Sequence, residues 1–337
     1  MNKTVSVIMP VYNEGKYIDK CVQSLLLQDY PKDQMEWIFV DGMSKDDTVQ
    51  IIKKYSQEYS SLITVLSNPN KIVPYAMNIG IAAAKGKYIV RLDAHAEYAK
   101  DYISKCVYHL EHSNAANVGG LAETKAEGFI GNCIAKMLSS KFGVGNSEFR
   151  TQGNGGEVDT VPFGAFRREV FSEYGGFDER LIRNQDNEMN YRIRKNGGKI
   201  LLCTDINFSY YCRNTIKGIA DMARKNGKWN VITMKLCPGS MGLRHFIPML
   251  FVLSIACLVL AGLFFHFFFL LLSFELCLYF FLDVLFSAKL ATKCKEFLLL
   301  VLLFPIFHIS YGFGSLKGLS CLASKKYRRG AYTAPKI

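Results

Sequence analysis

Read from the amino end, the first two thirds of the chain alternate short apolar runs with amphipathic stretches, punctuated by glycine, proline and acids. Thr4 to Pro10 is nearly continuous in apolar residues, as strands of a parallel sheet covered on both faces are. Val11-Tyr-Asn-Glu-Gly15 turns into a helix from Lys16 to Leu27, which Tyr30-Pro31 closes. A second strand, Glu36 to Val40, runs into Asp41-Gly-Met-Ser-Lys-Asp-Asp-Thr48. There Ser44 is placed to cap a helix reaching Tyr59, with Asp46 and Asp47 favourable in its first turn. Leu62 to Leu66 is a third strand, Pro74 to Ala84 a third helix, and Lys87 to Leu92 a fourth strand after the stop signal Lys85-Gly86. This alternation predicts an α/β fold with a doubly wound, mainly parallel sheet and right-handed crossovers. Such sheets bind ligands outside the carboxyl ends of their strands, and Pro10 to Glu14, Asp41 and Asp93 all lie at that edge.

Farther along, the stretch from Gly119 to Gly156 is glycine-rich. Gln152-Gly-Asn-Gly-Gly156 has no strand feeding it and no G-x-G-x-x-G, so it reads as a mobile loop rather than a dinucleotide fingerprint. Phe163 to Arg168 leads into a helix ended by Gly175-Gly176, and Asn184 to Lys195 is a helix with Asp186 in its first turn. Lys199 to Cys203 and Asn207 to Tyr211 read as two closing strands. Ile216 to Lys235 is a basic amphipathic stretch suited to lying on a membrane surface.

Charge then changes the picture. Phe246 to Leu272 contains no Lys, Arg, Asp or Glu, longer than the ~20 residues a membrane-spanning helix needs. Leu270 to Ser287 is a second apolar run, carrying Glu275 and Asp283, acids that are expensive in hydrocarbon unless they face other helices or water. A third, Phe297 to Phe313, is interrupted by Pro305 and followed by a basic tail, so it either re-enters or implies a further crossing. The first apolar run, Val5 to Val11, is too short for a signal peptide, which puts the amino-terminal part in the cytoplasm. The net charge of +12 concentrates in Arg213, Lys217, Arg224, Lys225, Lys228, Lys235 and Arg244 before the first apolar helix, and in Lys325, Lys326, Arg328 and Arg329 at the tail. Anionic membrane lipid accounts for these clusters. Nucleic acid is set aside as a partner, since no recognition module accompanies them. The ten cysteines form no C-x-x-C pair and read as reduced apolar residues. The chain thus divides into a soluble domain over 1–212, a basic interfacial region over 213–245, crossing or re-entrant helices over 246–323, and a basic cytoplasmic tail over 324–337.

The candidate chemistry gathers at the end of the fourth strand. Asp93 and His95, two apart on an extended chain, point to the same side and can converge on one ion. A carboxylate with an imidazole suits Mn²⁺ or Mg²⁺, the imidazole favouring Mn²⁺. A strand-ending Asp that caps a turn is the commoner occurrence taken alone. Asp186 could likewise be a helix-start acid, with Asn187 and Glu188 within one turn of it, though Asn187 cannot act as a base.

Val7-Ile-Met-Pro-Val-Tyr-Asn-Glu14, Val40-Asp-Gly-Met-Ser-Lys-Asp-Asp-Thr48 and Arg91-Leu-Asp-Ala-His95 resemble the nucleotide-sugar motifs of family 2 inverting glycosyltransferases, which have the GT-A fold. The likeness continues through Val161-Pro-Phe-Gly-Ala-Phe-Arg-Arg168, Gly175-Gly-Phe-Asp-Glu179 and Asn184-Gln-Asp-Asn-Glu-Met-Asn-Tyr-Arg192. This combination is similar to the succinoglycan-type and capsular exopolysaccharide glucosyltransferases within the family. The family's D-x-D stands here as Asp93-Ala94-His95, and its Glu-Asp pair as Gln185-Asp186. The resemblance implies that Pro10, Tyr12 and Glu14 line the base and ribose site, that Asp41 accepts a hydrogen bond from uracil, that Asp93 holds the ribose or metal and His95 the metal, and that Asp186 is the catalytic base. It implies a UDP-sugar donor, UDP-glucose first, a polyprenyl-diphosphate-linked glycan as acceptor, and other polysaccharide assembly proteins as partners at the cell membrane. The rival readings are a polyprenyl-phosphate sugar transferase and a non-catalytic scaffold of such an assembly.

Overall fold

The computed structural model describes residues 4–151, 153–324, 327, 335 and 337. In chain order its elements are β1 Val5–Val11, α1 Ile18–Leu26, β2 Met35–Asp41, α2 Thr48–Glu58, β3 Ile63–Ser67, α3 Val73–Ala83, β4 Tyr88–Arg91, β5 Ala96–Tyr98, α4 Tyr102–Glu111 and β6 Ala115–Lys125. There follow α5 Gly128–Leu138, α6 Lys141–Val144, β7 Gly156–Glu157, β8 Ala165–Arg167, α7 Glu169–Tyr174, α8 Gln185–Lys195, β9 Lys199–Tyr211, α9 Ile216–Leu236, α10 Ile247–Gly262, α11 Phe267–Leu290 and α12 Cys294–Cys321. They form two compact units, one of residues 1–123, 152–211 and 331–337, the other of 124–151 and 212–330. Gln152 and the basic tail residues Lys325, Lys326, Arg328 and Arg329 lie outside the described residues.

The first unit is built on one sheet in the order β3-β2-β1-β4-β8-β6-β9-β5, with β7 paired to β9. Strands β3, β2, β1 and β4 are parallel, joined by helical crossovers, and every residue of β2 and β4 is buried, in keeping with their largely apolar sequences; the charged exceptions are Glu36 near the start of β2 and Asp41 and Arg91 at the carboxyl ends of β2 and β4. The expected mainly parallel sheet ends there. From β8 onward the pairings β4–β8, β6–β8, β5–β9 and β7–β9 are antiparallel, giving a mixed Rossmann-like sheet. The two closing strands expected at Lys199–Cys203 and Asn207–Tyr211 are one long strand, β9, because Thr204 and Asp205 stay extended in the sheet. The glycine-rich stretch is also ordered differently. Gly119 and Gly120 sit inside β6, where a Cβ would lie 2.6 Å from Val161 Cβ and 2.1 Å from the Ile206 carbonyl oxygen, so close strand approach demands glycine there.

In the second unit Leu300, Leu303, Phe304 and Phe307 of α12 close a core with Cys133, Ile134 and Met137 of α5 and Ile219 and Ala223 of α9. Among the described residues, three helical segments, Leu243–Gly262, Phe267–Leu290 and Cys294–Cys321, are long and apolar enough to cross a membrane. The charge-free run expected as a single span is divided, since α10 ends at Gly262, where a Cβ would strike the Phe269 ring at 2.8 Å. Nor does Pro305 interrupt the last run, for it sits inside the continuous helix α12. The acids of α11 find partners within the helices. Ser254 Oγ of α10 donates to Glu275 Oε1, and Ser287 Oγ donates to Asp283 Oδ1 at 3.1 Å.

Candidate active site

In the parallel half, the chain runs from β1 to β2 and β3 on one side and then returns to β4 on the other, so the crossovers diverge between β1 and β4. That is where an open α/β sheet leaves a crevice at its carboxyl edge. A cleft of about 110 Å³ lies at these strand ends, lined by Pro10, Tyr12 and Glu14 at and beyond the end of β1, Val40 and Gly42 around the end of β2, and Arg91, Asp93 and His95 at and beyond the end of β4. Asn68 and Lys71, which the sequence reading passed over, complete it from the β3–α3 loop.

Two loops on this edge are laced together. The Asn13 N–H donates to Ser44 Oγ at 2.9 Å, the Lys45 N–H to Asn13 Oδ1 at 2.8 Å, the Glu14 N–H to Thr48 Oγ1 at 2.7 Å and the Gly15 N–H to Asp46 Oδ2 at 2.9 Å. Ser44 is therefore a cross-loop acceptor rather than the cap of α2, which follows Asp47. Asn13 and Met43, in the laced loops after β1 and β2, hold positive φ angles of 55° and 65°, a costly conformation for residues with a Cβ, and Lys71 in the loop after β3 holds one of 64°, its N–H donating to the Asn68 carbonyl at 3.1 Å. Asp41 stands between the lining residues Val40 and Gly42. Its carboxylate accepts the Met43 N–H and the Ser44 N–H, both at 3.1 Å, and so holds the turn on which Gly42 reaches the cleft.

The expected pair Asp93 and His95 do converge, and Glu14 joins them. His95 Nδ1 lies 2.8 Å from Asp93 Oδ1 and 3.3 Å from Glu14 Oε1, and one ligand atom from each residue falls within 4.8 Å of the others. Burial lowers the basicity of the His95 imidazole, but the carboxylates of Asp93 and Glu14 outweigh it and push its pKa up to about 12. For Asp93 burial favours the neutral acid, yet His95 and Arg91 more than compensate and hold the carboxyl below its ordinary value. Asp93 is fixed from behind, its N–H donating to the Tyr98 hydroxyl at 2.7 Å while that hydroxyl donates to the Asp93 carbonyl at 3.2 Å. Two carboxylates and an imidazole around one point form a donor set that fits Mn²⁺ or Mg²⁺.

Asp186 stands in the first turn of α8, after Asn184 at φ 64°. Arg91 Nη1, at the end of β4 and in the cleft wall, donates to Asp186 Oδ1. Thus the strand that leads to Asp93 also holds Asp186. The alternative acid, Glu188, is buried and spent elsewhere, since its two oxygens take Arg192 Nε at 2.9 Å and Nη2 at 2.7 Å. Helix α8 is anchored to the sheet by Asn117 Nδ2, which donates to Asn190 Oδ1 at 2.7 Å, and by Asn190 Nδ2, which donates to Thr160 Oγ1 at 2.9 Å.

A Rossmann-like sheet with a cleft and a cation-competent cluster at its carboxyl edge is the construction of the GT-A class of sugar-transferring folds. A mannosyltransferase from Pyrobaculum calidifontis, solved with GDP-Man and Mn²⁺, has this fold, with a TM-score of 0.59 at 17% identity over 95% of this chain and 88% of that one. The chain belongs to glycosyl transferase family 2, whose family model matches residues 6–175. Among its relatives is a Methanococcus voltae protein named dolichyl N-acetyl-alpha-D-glucosaminyl phosphate 3-beta-D-2,3-diacetamido-2,3-dideoxy-beta-D-glucuronosyltransferase, 28% identical across 94% of this chain and 98% of that one. Succinoglycan biosynthesis protein ExoA of Rhizobium meliloti (strain 1021) is 29% identical over 61% of this chain, which spans 63% of that protein.

Proposed function

We propose that this family 2 glycosyltransferase is membrane-anchored and inverting, and that it moves a sugar from a UDP-sugar to a polyprenyl-diphosphate-linked glycan at the cytoplasmic face of the cell membrane, in exopolysaccharide or capsule assembly. The observation that carries this reading is the joining of two chemistries by one strand end: β4 supplies Asp93 to the cation cluster and Arg91 to Asp186. In this reading Pro10 and Tyr12 line the base and ribose site, Asp41 shapes the turn against the uracil, and Glu14, Asp93 and His95 hold a divalent cation. That cation would neutralise charge on the departing nucleotide diphosphate. Asp186 accepts the proton of the acceptor hydroxyl as it attacks the anomeric carbon from the side opposite the nucleotide, a step worth ~10²–10⁴ in rate. A lipid-linked acceptor is supported by the three long apolar helices and by the M. voltae relative, matched along nearly its whole length, whose name carries a dolichyl-linked sugar phosphate. The R. meliloti relative supports the polysaccharide setting.

The test is a screen of labelled UDP-sugars, UDP-glucose first, on membranes containing the full chain with lipid extract and Mn²⁺, followed by linkage analysis. Label entering a lipid-extractable glycan with inverted anomeric configuration is the expected result. Label on bare polyprenyl phosphate would replace this reading with that of a polyprenyl-phosphate sugar transferase. Incorporation only from donors other than UDP-sugars would overturn the donor assignment.

A further inference from the structure

Helix α12 is as long and apolar as a spanning helix, yet protein covers it differently. In its most apolar window 39% is buried, against 11% and 6% for the segments containing α10 and α11. Its covered side meets helices that carry charge. At its start Glu296 pairs with Lys136 of α5 at 2.8 Å, and the Leu300–Phe307 stretch packs on α5 and α9. Farther on, a Cβ at Gly314 would lie 2.2 Å from the Arg224 carbonyl oxygen, and one at Gly318 would lie 2.7 Å from that of Lys228. Equal steps of four residues on both helices mean that α9 and α12 run side by side in the same direction. Lys217, Arg224, Lys228 and Lys235 recur at seven-, four- and seven-residue intervals, which places them in one stripe along α9. Part of the remaining surface of α12 meets the other apolar helices, with Gly312 against Pro248 of α10 and His308 Nδ1 2.9 Å from the Tyr279 hydroxyl of α11, and the rest is a bare apolar stripe: Leu298, Leu302, Ile309 and Phe313 are 58, 61, 37 and 57% exposed.

A spanning α12 would carry α5 and the charged flank of α9 into hydrocarbon with it, where charged side chains are rare unless they face the interior of a helix bundle or water. An in-plane α12 asks for nothing of the kind. A helix apolar on one side, with cations on the helix packed behind it, fits the boundary between headgroups and acyl chains of an anionic leaflet. We infer that α12 lies in the plane of the bilayer surface, its Leu298–Phe313 stripe among the upper acyl chains and the cations of α9 at the lipid phosphates. Only α10 and α11 cross. Both ends of α12 then lie on the side of the bilayer that carries α9. The inference rests on the membrane-anchored reading proposed above.

The chain supplies its own probes, since Cys294 and Cys321 bracket α12 and Cys257 and Cys277 lie in α10 and α11. Full-length single-cysteine variants retaining one of these four, and a Lys225→Cys reference on α9, are exposed in sealed membrane vesicles of both orientations to an impermeant maleimide. Cys294, Cys321 and the reference are expected to label from one and the same side. Labelling of Cys294 and Cys321 from opposite sides would overturn the inference and leave the anchor standing. Release of the protein by alkaline carbonate, with Cys257 and Cys277 freely labelled, would overturn the anchor itself. Nitroxides at Leu298, Leu302, Ile309 and Phe313 give an independent reading, with equal depths expected in the bilayer. A spanning helix would instead spread these positions over about 22 Å, at 1.5 Å per residue.

Discussion

Arg91 Nη1 donates to Asp186 Oδ1, so the residue two before the cation cluster on β4 aims the carboxylate at the start of α8. The other carboxylate within that turn, Glu188, is closed off by a two-pronged pair with Arg192, which leaves Asp186 as the acid proposed for the chemistry.

Asp186→Asn keeps the shape and a hydrogen bond to Arg91 but removes the basic function. Turnover is expected to fall on the order of 10²-fold or more with the KM for the UDP-sugar nearly unchanged, because the donor cleft lies at the ends of β1, β2 and β4. Glu188→Gln should do the reverse, lowering the melting temperature, since Arg192 is left partly buried without its counter-charge, and sparing turnover of the folded fraction. Steady-state kinetics beside thermal unfolding separates the two. A dead but stable Glu188→Gln with an active Asp186→Asn would reverse the assignment.

Removal of divalent ions by a chelator should abolish transfer, and Mn²⁺ should restore it better than Ca²⁺, whose larger shell a three-residue site with an imidazole serves poorly. Glu14→Gln is the informative variant, because the residue faces the cleft and also stands 3.3 Å from His95. As a cation ligand its loss should weaken Mn²⁺ binding on the order of 10- to 100-fold, as even indirect metal partners do. Calorimetric titration with Mn²⁺ alone reads this, and unchanged Mn²⁺ affinity would remove Glu14 from the cluster.

For Asp41→Asn the effect should pass through the turn. The carboxylate takes two backbone N–H groups, and an amide offers one oxygen where the acid offers two, at a cost of about 1–2 kcal/mol. Donor KM should rise while turnover at saturation stays near wild type. A fall in turnover alone would point to a direct role in the chemistry instead.

Gly314→Leu should destabilise the second unit by more than the ~1–3 kcal/mol of ordinary overpacking, because the new Cβ meets the Arg224 backbone, which cannot rotate away as a side chain can. Thermal unfolding in detergent checks this, with Gly242→Leu, where nothing stands within 4 Å, as the control.

What could be read from the chain and what could not follow from how local each signal is. The ends of β1, β2 and β4 were legible because buried parallel strands are written as unbroken apolar runs, and Asp93 with His95 because a two-residue interval on extended chain settles their side. Glu14 as the third member of that cluster was not, since only the lacing of Asn13, Gly15 and Lys45 to the neighbouring loop brings it there. Arg91 and Asp186 meet across 95 positions, a distance at which pattern carries no signal. Glycine misled twice over. Gly119 and Gly120 look like loop residues, whereas they admit the backbone of β9 and the side chain of Val161 at close range. Thr204 and Asp205 imitate a turn because their side chains are polar, while their backbones continue the ladder of β9.

The same-direction pairing of α9 with α12 also orders the birth of the protein. When α9 leaves the ribosome, the surface formed by Ile219, Ala223 and Gly227 has no cover, and the helix that will cover it is still separated from it by both arms of the α10–α11 hairpin. Residues 124–151 wait in the same way, since Ile134 and Met137 close only on Leu300, Leu303 and Phe304. The second unit therefore cannot mature until translation has passed α12, and a message truncated within the hairpin yields a chain whose sticky flank is permanently open to quality-control proteases.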